Sequence, residues 1–423
     1  MEGYNEAVSI CGLDFGTSNS TVALPSGEVL EIDLQAESRR LFRSVLFFPE
    51  EEKEMFAGAA AIARYLDEPA GRFIQSVKSW LPSRSFTHTQ IRHRPVTLEE
   101  LVSMLLRRIR EGAARAAGVE LRRVVMGRPA VFSTEGAADA LAQNRLQRAA
   151  EQAGFEEVVF LIEPIAAALA YEARLERDER VLVGDFGAGT SDFTVMDLGP
   201  SRRGARSRVG DVVGSGGVRI GGDSFDAAIM KHALLPLFGG GSKYRERFGS
   251  QWLRMPQHIE RKMLNWHEMS FIRERSIQEL IATMLETSDN VPAIEALHDL
   301  VMHNLGFQLF RAIERAKVQL SSEMETRIDY DEDRVHVHVP LERAQFEGFC
   351  RPLLEELEAC VGALLEKTGD RVDAVFLTGG SSYIPAVRAL FSKRFGEEKI
   401  RTADAFTSVV EGLGRATASL LAA

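Results

Sequence analysis

The sequence predicts an α/β fold in which one strand–turn–strand device occurs twice, in two halves that face each other across a ligand. Three observations carry this. Residues 181–198 run as an apolar stretch ending in Asp185, a turn Gly187-Ala188-Gly189-Thr190, and a second apolar, β-branched stretch, the pattern of a β-hairpin. Residues 9–24 repeat it, with Asp14 at the end of an apolar stretch, then Gly16-Thr17-Ser18-Asn19, then a strand. Between and after the two copies, strand-like and helix-like patterns alternate, which indicates α/β layering.

A turn without bulky side chains lets its backbone N–H groups approach an anion. Asp185 and Asp192 bracket the second turn and Thr190 adds a hydroxyl. Donors beside carboxylates suit a phosphate chain with a divalent cation. Two other phosphate motifs fit less well. Gly187-Ala188-Gly189 starts like a dinucleotide fingerprint, but Asp192 stands where the third glycine belongs and a strand follows instead of a helix. A Walker A loop is excluded, because the chain has no Gly-Lys-Ser or Gly-Lys-Thr.

The 423 residues suffice for two or more domains and a sizeable core. A hydrophobic fraction of 45% and a charged fraction of 26% are those of a globular protein in water. A net charge of −10 argues against a general nucleic-acid or anionic-membrane surface. Cys11, Cys350 and Cys360 show no Cys-x-x-Cys spacing and read as core thiols of a reducing compartment. No apolar stretch has the length of a membrane span, and the first six residues are polar and acidic. The expectation is a soluble cytoplasmic protein.

In chain order, a turn at Gly27 precedes short strands at 29–34 and 44–48, and an Ala-rich helix covers 58–66. Lys78 then lies between Val77 and Trp80; taken alone, it reads as a lysine snorkelling over the indole. Thr97 caps a helix that runs to about residue 117, with Glu100 completing a capping box; its Arg107, Arg108 and Arg110 read as a solvated face. Residues 124–126 form a strand ending at Pro129, 135–153 a helix and 158–162 a strand. Glu163-Pro164 breaks the chain before an Ala-rich helix at 165–173.

Past the central hairpin, residues 202–208 read as a basic, solvated tip. A Gly-rich stretch, 214–222, leads into a helix beginning near Phe225. Residues 234–320 are helical in pattern, with a break at Gly239-Gly240-Gly241 and Trp252 and Trp266 inside. Glu314, Lys317 and Ser321 share one helix face, where an i,i+3 ion pair is the plain expectation. His336 and His338 alternate on a strand as solvent-facing residues, with no third metal ligand nearby in sequence. A helix follows over 341–367. A strand from Asp373 ends in Gly379-Gly380, where a flat ligand can lie against the backbone. A helix starts near Ile384, and an Ala-rich helix ends the chain.

Together these pieces resemble the nucleotide-binding domain of the 70-kDa heat-shock chaperone family (DnaK-like), within the actin and sugar-kinase superfamily. Asp14-Phe-Gly-Thr-Ser-Asn-Ser is similar to that family's first phosphate loop and Asp185-Phe-Gly-Ala-Gly-Thr-Ser-Asp to its second. Glu163-Pro-Ile-Ala-Ala-Ala-Leu-Ala-Tyr resembles its first connecting helix, and Ile220-Gly-Gly-Asp-Ser-Phe-Asp the loop into the outer part of its second lobe. Glu314-Arg-Ala-Lys-Val-Gln-Leu-Ser resembles the adenosine-contact helix, and Thr378-Gly-Gly-Ser-Ser-Tyr-Ile-Pro the adenosine loop.

The resemblance implies a two-lobed actin-like ATPase fold made of duplicated ribonuclease H-like domains. Lobe I would be residues 1–179 with the terminal helix 404–423. Lobe II would be 180–403, with a helical outer subdomain at about 225–325. It implies ATP or ADP with Mg²⁺ between the lobes, Asp14, Asp185 and Asp192 holding the ion through waters, and Lys78, Asp14, Asp185 and Thr190 as the catalytic group. Gly16, Thr17, Ser18, Asn19, Gly187, Ala188 and Gly189 would cradle phosphates. Gly222, Asp223, Glu314, Lys317, Ser321, Gly379, Gly380, Ser381 and Tyr383 would face the nucleoside. Pro129 and Glu163 would couple the site to a substrate domain.

This chain departs from the pattern at several places. Ala188 replaces a glycine, Tyr383 an arginine, and the arginine that follows Pro129 in the family has no match. Residues 404–408 do not align with the adenosine-side aspartate, and the insert before Glu314 is larger. The expectation is a chain with neither interdomain linker nor peptide-binding β-sandwich, as in the short YegD-like bacterial branch. The implied function is slow ATP hydrolysis driving lobe motion in a chaperone-like protein. Its partners would be unfolded protein, a J-type cochaperone or a nucleotide-exchange factor, with no nucleic acid and no membrane. The alternatives are a non-hydrolysing nucleotide-gated scaffold, an actin-like filament former and, last, a sugar kinase. Oligomeric state is not legible.

Overall fold

The computed structural model describes residues 9–133, 135–203, 208–247, 249–265, 268–269, 272, 274–332, 334–402 and 407–421. The N-terminal residues 1–6, the tip residues 204–207, Trp266, residues 404–406 and the last two residues of the expected terminal helix lie outside them.

Ten strands make two five-stranded sheets. The first holds β1 (Ile10–Phe15), β2 (Asn19–Ala23), β3 (Phe42–Arg43), β4 (Arg123–Arg128) and β5 (Glu157–Ile162). Its spatial order is β5-β4-β1-β2-β3. The second holds β6 (Glu179–Phe186), β7 (Ser191–Leu198), β8 (Val212–Val218), β9 (Ala374–Thr378) and β10 (Ile400–Thr402), in the order β8-β7-β6-β9-β10. The two sheets have one topology. In each, an antiparallel hairpin (β1–β2, β6–β7) is extended by a third antiparallel strand on one side and by two parallel strands on the other. The register also repeats: Phe15 faces Ser20 as Phe186 faces Ser191, and Asp14 faces Thr21 as Asp185 faces Asp192. The duplication expected from the hairpins therefore extends to whole sheets.

Parallel strands need crossover helices, and the sequence supplies them with clear start signals. The helix Leu98–Ala117 opens on the expected capping box: Glu100 N–H donates to Thr97 Oγ1 (3.2 Å) and Thr97 N–H to Glu100 Oε2 (2.7 Å). Its Leu101, Leu105 and Ile109 are fully buried with Leu13, Val124 and Leu146, each such side chain contributing about 1.5–3 kcal/mol. Two further helices, Glu163–Glu172 and Ser408–Leu420, join the sheets. One cluster takes Ile10 and Val125 from the first sheet, Val183 and Phe376 from the second, and Ala166 and Leu413 from these helices. Their approach depends on missing side chains: a Cβ on Gly412 would lie 1.7 Å from the Ala166 carbonyl oxygen, and one on Gly12 2.3 Å from Gly414 N.

The contacts divide the chain into two compact units. Both sheets belong to the unit that runs through Arg219 and takes in Leu357–Ser382 and the chain from Ala389 on. The other, Ile220–Glu356 with Tyr383–Arg388, is mainly helical: Gly222–Ile229, Gln257–Leu264, Arg275–Thr287, Val291–Met302 and Gly306–Gln319. It also contains strands the helical reading of 234–320 omits, the short hairpin Lys243–Tyr244 with Leu253–Arg254.

Three expectations need correction. Residues 29–34 are not a strand: Val29 makes an isolated bridge with Ala23, while Ile32 N–H turns to the Arg39 carbonyl (2.8 Å), so no ladder forms. The helices placed at 165 and near 225 begin earlier, at Glu163 and Gly222; Pro164 sits in the first turn, where its missing N–H costs nothing. The basic tip is not a solvated loop at its described arginines. Arg208 donates two hydrogen bonds to Glu172 (2.6 and 2.7 Å) and pairs with Asp211, Arg202 also pairs with Asp211, and Arg203 caps the Glu172 carbonyl (2.6 Å). Glu172 is 4% exposed, so the basic run serves a buried carboxylate. His336 and His338 are exposed, as expected, and pair across their hairpin with Asp331 and Asp329.

Candidate functional site

The first turn is held from outside by residues to which the sequence reading assigned no role. Ser44 donates its hydroxyl to the Gly16 carbonyl (2.9 Å) and its N–H to the Ser18 carbonyl (2.9 Å), and Ser20 and Ser44 hydroxyls are 2.9 Å apart. Arg43 Nη1 donates to Asn19 Oδ1 (3.2 Å). Gly16 is required by space, since a Cβ there would lie 2.0 Å from the Asn19 carbonyl oxygen. Thr17 and Ser18 complete the turn. The second turn closes on itself: Gly187 N–H donates to the Thr190 carbonyl (2.9 Å), and Thr190 Oγ1 donates to Asp192 Oδ2 (3.2 Å). A Cβ at Gly189 would meet open space, so the second turn presents backbone where a ligand can approach.

Lys78 arrives from a third segment. The strand Gly71–Gln75 ends, Ser76 takes a left-handed conformation (φ 54°), and a short 3₁₀ turn, Val77–Trp80, follows. The lysine is 8% exposed, so its ammonium does not snorkel to solvent, and its Nζ lies 2.7 Å from Glu163 Oε1. Glu163 is the first residue of the helix Glu163–Glu172, at the end of β5. Gly127 on the adjacent β4 leaves it room, for a Cβ there would lie 3.1 Å from Glu163 Cγ.

The electrostatics show these groups acting on one another. Burial, then the Glu163 charge, pushes Asp14 up to about 7 against the pull of Lys78. Asp192 is likewise pushed up to about 7 by burial and Glu163, opposed by its Thr190 hydrogen bond and Lys78. Asp185 is raised well above the usual carboxylate range by burial, then by Glu163, Asp14 and Asp192. Burial pulls Lys78 down, but Glu163, Asp14 and Asp185 outweigh it and its pKa is raised. Four carboxylates thus share the field of one named ammonium, and a divalent cation would relieve the excess. Among the described residues no three His, Cys, Asp or Glu side chains are placed to hold a metal ion directly. A hydrated ion, reached through its waters, is what this donor set fits, and Mg²⁺ keeps several waters when bound.

At the end of β9, Gly379 (φ 85°) abuts β6, where a Cβ would lie 2.1 Å from the Phe186 carbonyl oxygen. Gly380 and the buried Ser381 continue into a 3₁₀ turn, Gly380–Tyr383. In the helical unit, Lys317 Nζ donates to Asp226 Oδ2 (2.8 Å) and to the Gly222 carbonyl (3.2 Å), tying two helices together, and the charge of Glu314 also acts on it. Asp223 lies in the first turn of the helix Gly222–Ile229. Ser321 lies just past the end of Gly306–Gln319, its hydroxyl 3.4 Å from the Lys317 carbonyl. Tyr383 is 48% exposed, an available ring. Arg43 had no motif to announce it; Ser44 opened a predicted strand and Asp226 closed the motif that begins at Ile220, but neither signal pointed to the partner the fold supplies.

The Hsp70 protein family model matches residues 10–243 and 292–418. The unmatched interval lies in the helical insert. Chaperone protein DnaK from each of two Thermus thermophilus strains is 26% identical over 424 aligned residues, covering 92% of this chain and 57% of the relative. The chain thus spans little more than half the length of those relatives. With the family match extending over both sheets and most of the helical unit, this chain belongs to the Hsp70 family and has its mixed α/β, actin-like ATPase fold.

Proposed function

We propose that the chain binds ATP and ADP with Mg²⁺ and hydrolyses ATP slowly, as a chaperone-like protein whose nucleotide state drives lobe motion. The observation that carries this is the buried Lys78–Glu163 pair among Asp14, Asp185 and Asp192, assembled from separate segments beside two glycine turns. The turns would cradle phosphates through backbone N–H groups, with Thr17, Ser18 and Thr190 adding hydroxyls. Asp14, Asp185 and Asp192 would hold the waters of the cation. When bound, that cation neutralises phosphate charge. Lys78 would orient the attacking water and stabilise charge on the terminal phosphate, and Glu163 would fix the ammonium in place. Gly379, Gly380, Ser381, Gly222, Asp223, Glu314, Lys317, Ser321 and Tyr383 would serve the nucleoside. Residues 1–179 with the terminal helix would form one lobe and 180–403 the other. Unfolded protein, J-type cochaperones and exchange factors are the partners this reading suggests. Among the described residues no helix is long and apolar enough to cross a membrane.

Single-turnover hydrolysis beside calorimetric ATP and ADP affinities, on wild type and Lys78→Ala, tests the proposal. Loss of hydrolysis by about 10²–10³-fold with affinity kept within several-fold supports it. The second reading is a nucleotide-gated scaffold without turnover. The commitment of Lys78 to Glu163 favours it, and binding without hydrolysis in either protein would establish it.

A further inference from the structure

We propose that Thr21 is a positioning residue for the hydrated divalent cation, its hydroxyl kept for a water of the ion's shell beside Asp14; this rests on the nucleotide reading above. Thr21 is directly opposite Asp14 across the β1–β2 hairpin. Cross-strand partners put their side chains on the same face of the sheet, Cβ atoms about 4.5–5.5 Å apart. The Thr21 side chain is therefore on the site face with Asp14. It is 3% exposed, and Oγ1 has no hydrogen-bond partner. A buried hydroxyl left unpaired is disfavoured, and such an atom in a native protein calls for a water, ion or ligand.

The duplicated register says which. Thr21 in the first hairpin stands where Asp192 stands in the second, each opposite the aspartate that ends the leading strand. Asp192 already has a local partner, Thr190 Oγ1 at 3.2 Å. The corresponding turn residue of the first hairpin, Asn19, is engaged by Arg43, and the Thr21 hydroxyl has no such turn partner. With one donor and two acceptor positions, that hydroxyl can accept from a metal-bound water and donate to a neighbouring oxygen. A neutral group here keeps the carboxylate count at three aspartates and Glu163, which suits a cation that arrives with phosphates. A fourth aspartate would add repulsion. The site is thus asymmetric: the second hairpin supplies charge and the first supplies one carboxylate and an orienting hydroxyl.

The test is calorimetric titration of ADP over a series of Mg²⁺ concentrations and in EDTA, for wild type, Thr21→Val, Thr21→Ala and Thr21→Ser. The expected result is an Mg²⁺ midpoint raised about 10-fold in the valine variant, the scale of losing an outer-shell partner. ADP affinity in EDTA and the ligand-free Tm should match wild type, and serine should restore the midpoint. The alanine variant reads the same loss if valine does not fold. An unchanged midpoint in the valine or alanine variant overturns the inference while leaving the nucleotide reading intact. Absence of Mg²⁺-dependent ADP binding in wild type overturns both.

Discussion

The Lys78 ammonium lies 2.7 Å from Glu163 Oε1, with both side chains about nine-tenths buried. The two residues are 85 positions apart, one on a 3₁₀ turn and one at the start of a helix. Breaking a buried ion pair commonly costs about 3–5 kcal/mol, because a charge is left without a partner. Here the two halves of the pair are not equivalent. Lys78→Met leaves Asp14, Glu163, Asp185 and Asp192 without that ammonium and should fall in this range at pH 8. Glu163→Gln leaves Lys78 with Asp14 and Asp185 and lessens their mutual repulsion, so it should cost no more than about 1 kcal/mol. Urea unfolding without divalent ions measures both. Equal losses would show that the pair acts alone and that the aspartates do not share its field.

Asp14 and Asp192 are held near 7, far above the ~3.9 of an unfolded aspartate. Between these values the folded state binds more protons than the unfolded state, so stability falls as pH rises. The penalty is absent below about 4 and complete above about 7. The ligand-free protein should therefore lose stability between pH 5 and 7.5, and Mg²⁺ should raise Tm more at pH 8 than at pH 5.5. A protective effect of Mg²⁺ that is equal at both pH values would contradict this assignment.

Gly412 approaches Ala166 so closely that a Cβ would lie 1.7 Å from its carbonyl oxygen. Backbone cannot yield as a flexible side chain can. Gly412→Ala should cost at least the ~1–3 kcal/mol typical of overpacking and shift the urea midpoint down. Gly118→Ala is a useful contrast. Its Cβ would meet nothing within 4 Å, so its cost should be limited to the strain of a left-handed residue at a helix end.

Glu172 accepts two hydrogen bonds from Arg208 and one from Gly199 N–H (2.9 Å) at the far end of the helix that begins with Glu163. Arg208→Met should destabilise by about 3 kcal/mol, the cost of leaving a buried carboxylate unpaired. Because the pair is buried, wild-type stability should change little between 0.05 and 0.5 M salt. A salt-sensitive contribution would mean that the arginine is solvated after all.

Much of this protein is local in the sequence. Strand–aspartate–glycine turns at Asp14 and Asp185, the Thr97 capping box and the Ala-rich helix around Pro164 each depend on residues within a few positions of one another. Turn chemistry, capping and periodicity operate at that range. The duplication was visible for the same reason, as one short pattern written twice. Tertiary structure decided what distance along the chain conceals. It decided that the Lys78 ammonium is buried against Glu163 instead of reaching solvent, that Arg208 reaches Glu172, that Lys317 reaches Asp226, and that Ser44 braces Gly16. It also decided that residues 29–34 lack a ladder, since a strand needs a neighbour as well as a pattern. Charge pairing and burial are properties of the space around a side chain, and composition at one position says little about them. The identity of the hairpins followed from sequence; the partner of each charged group awaited the fold.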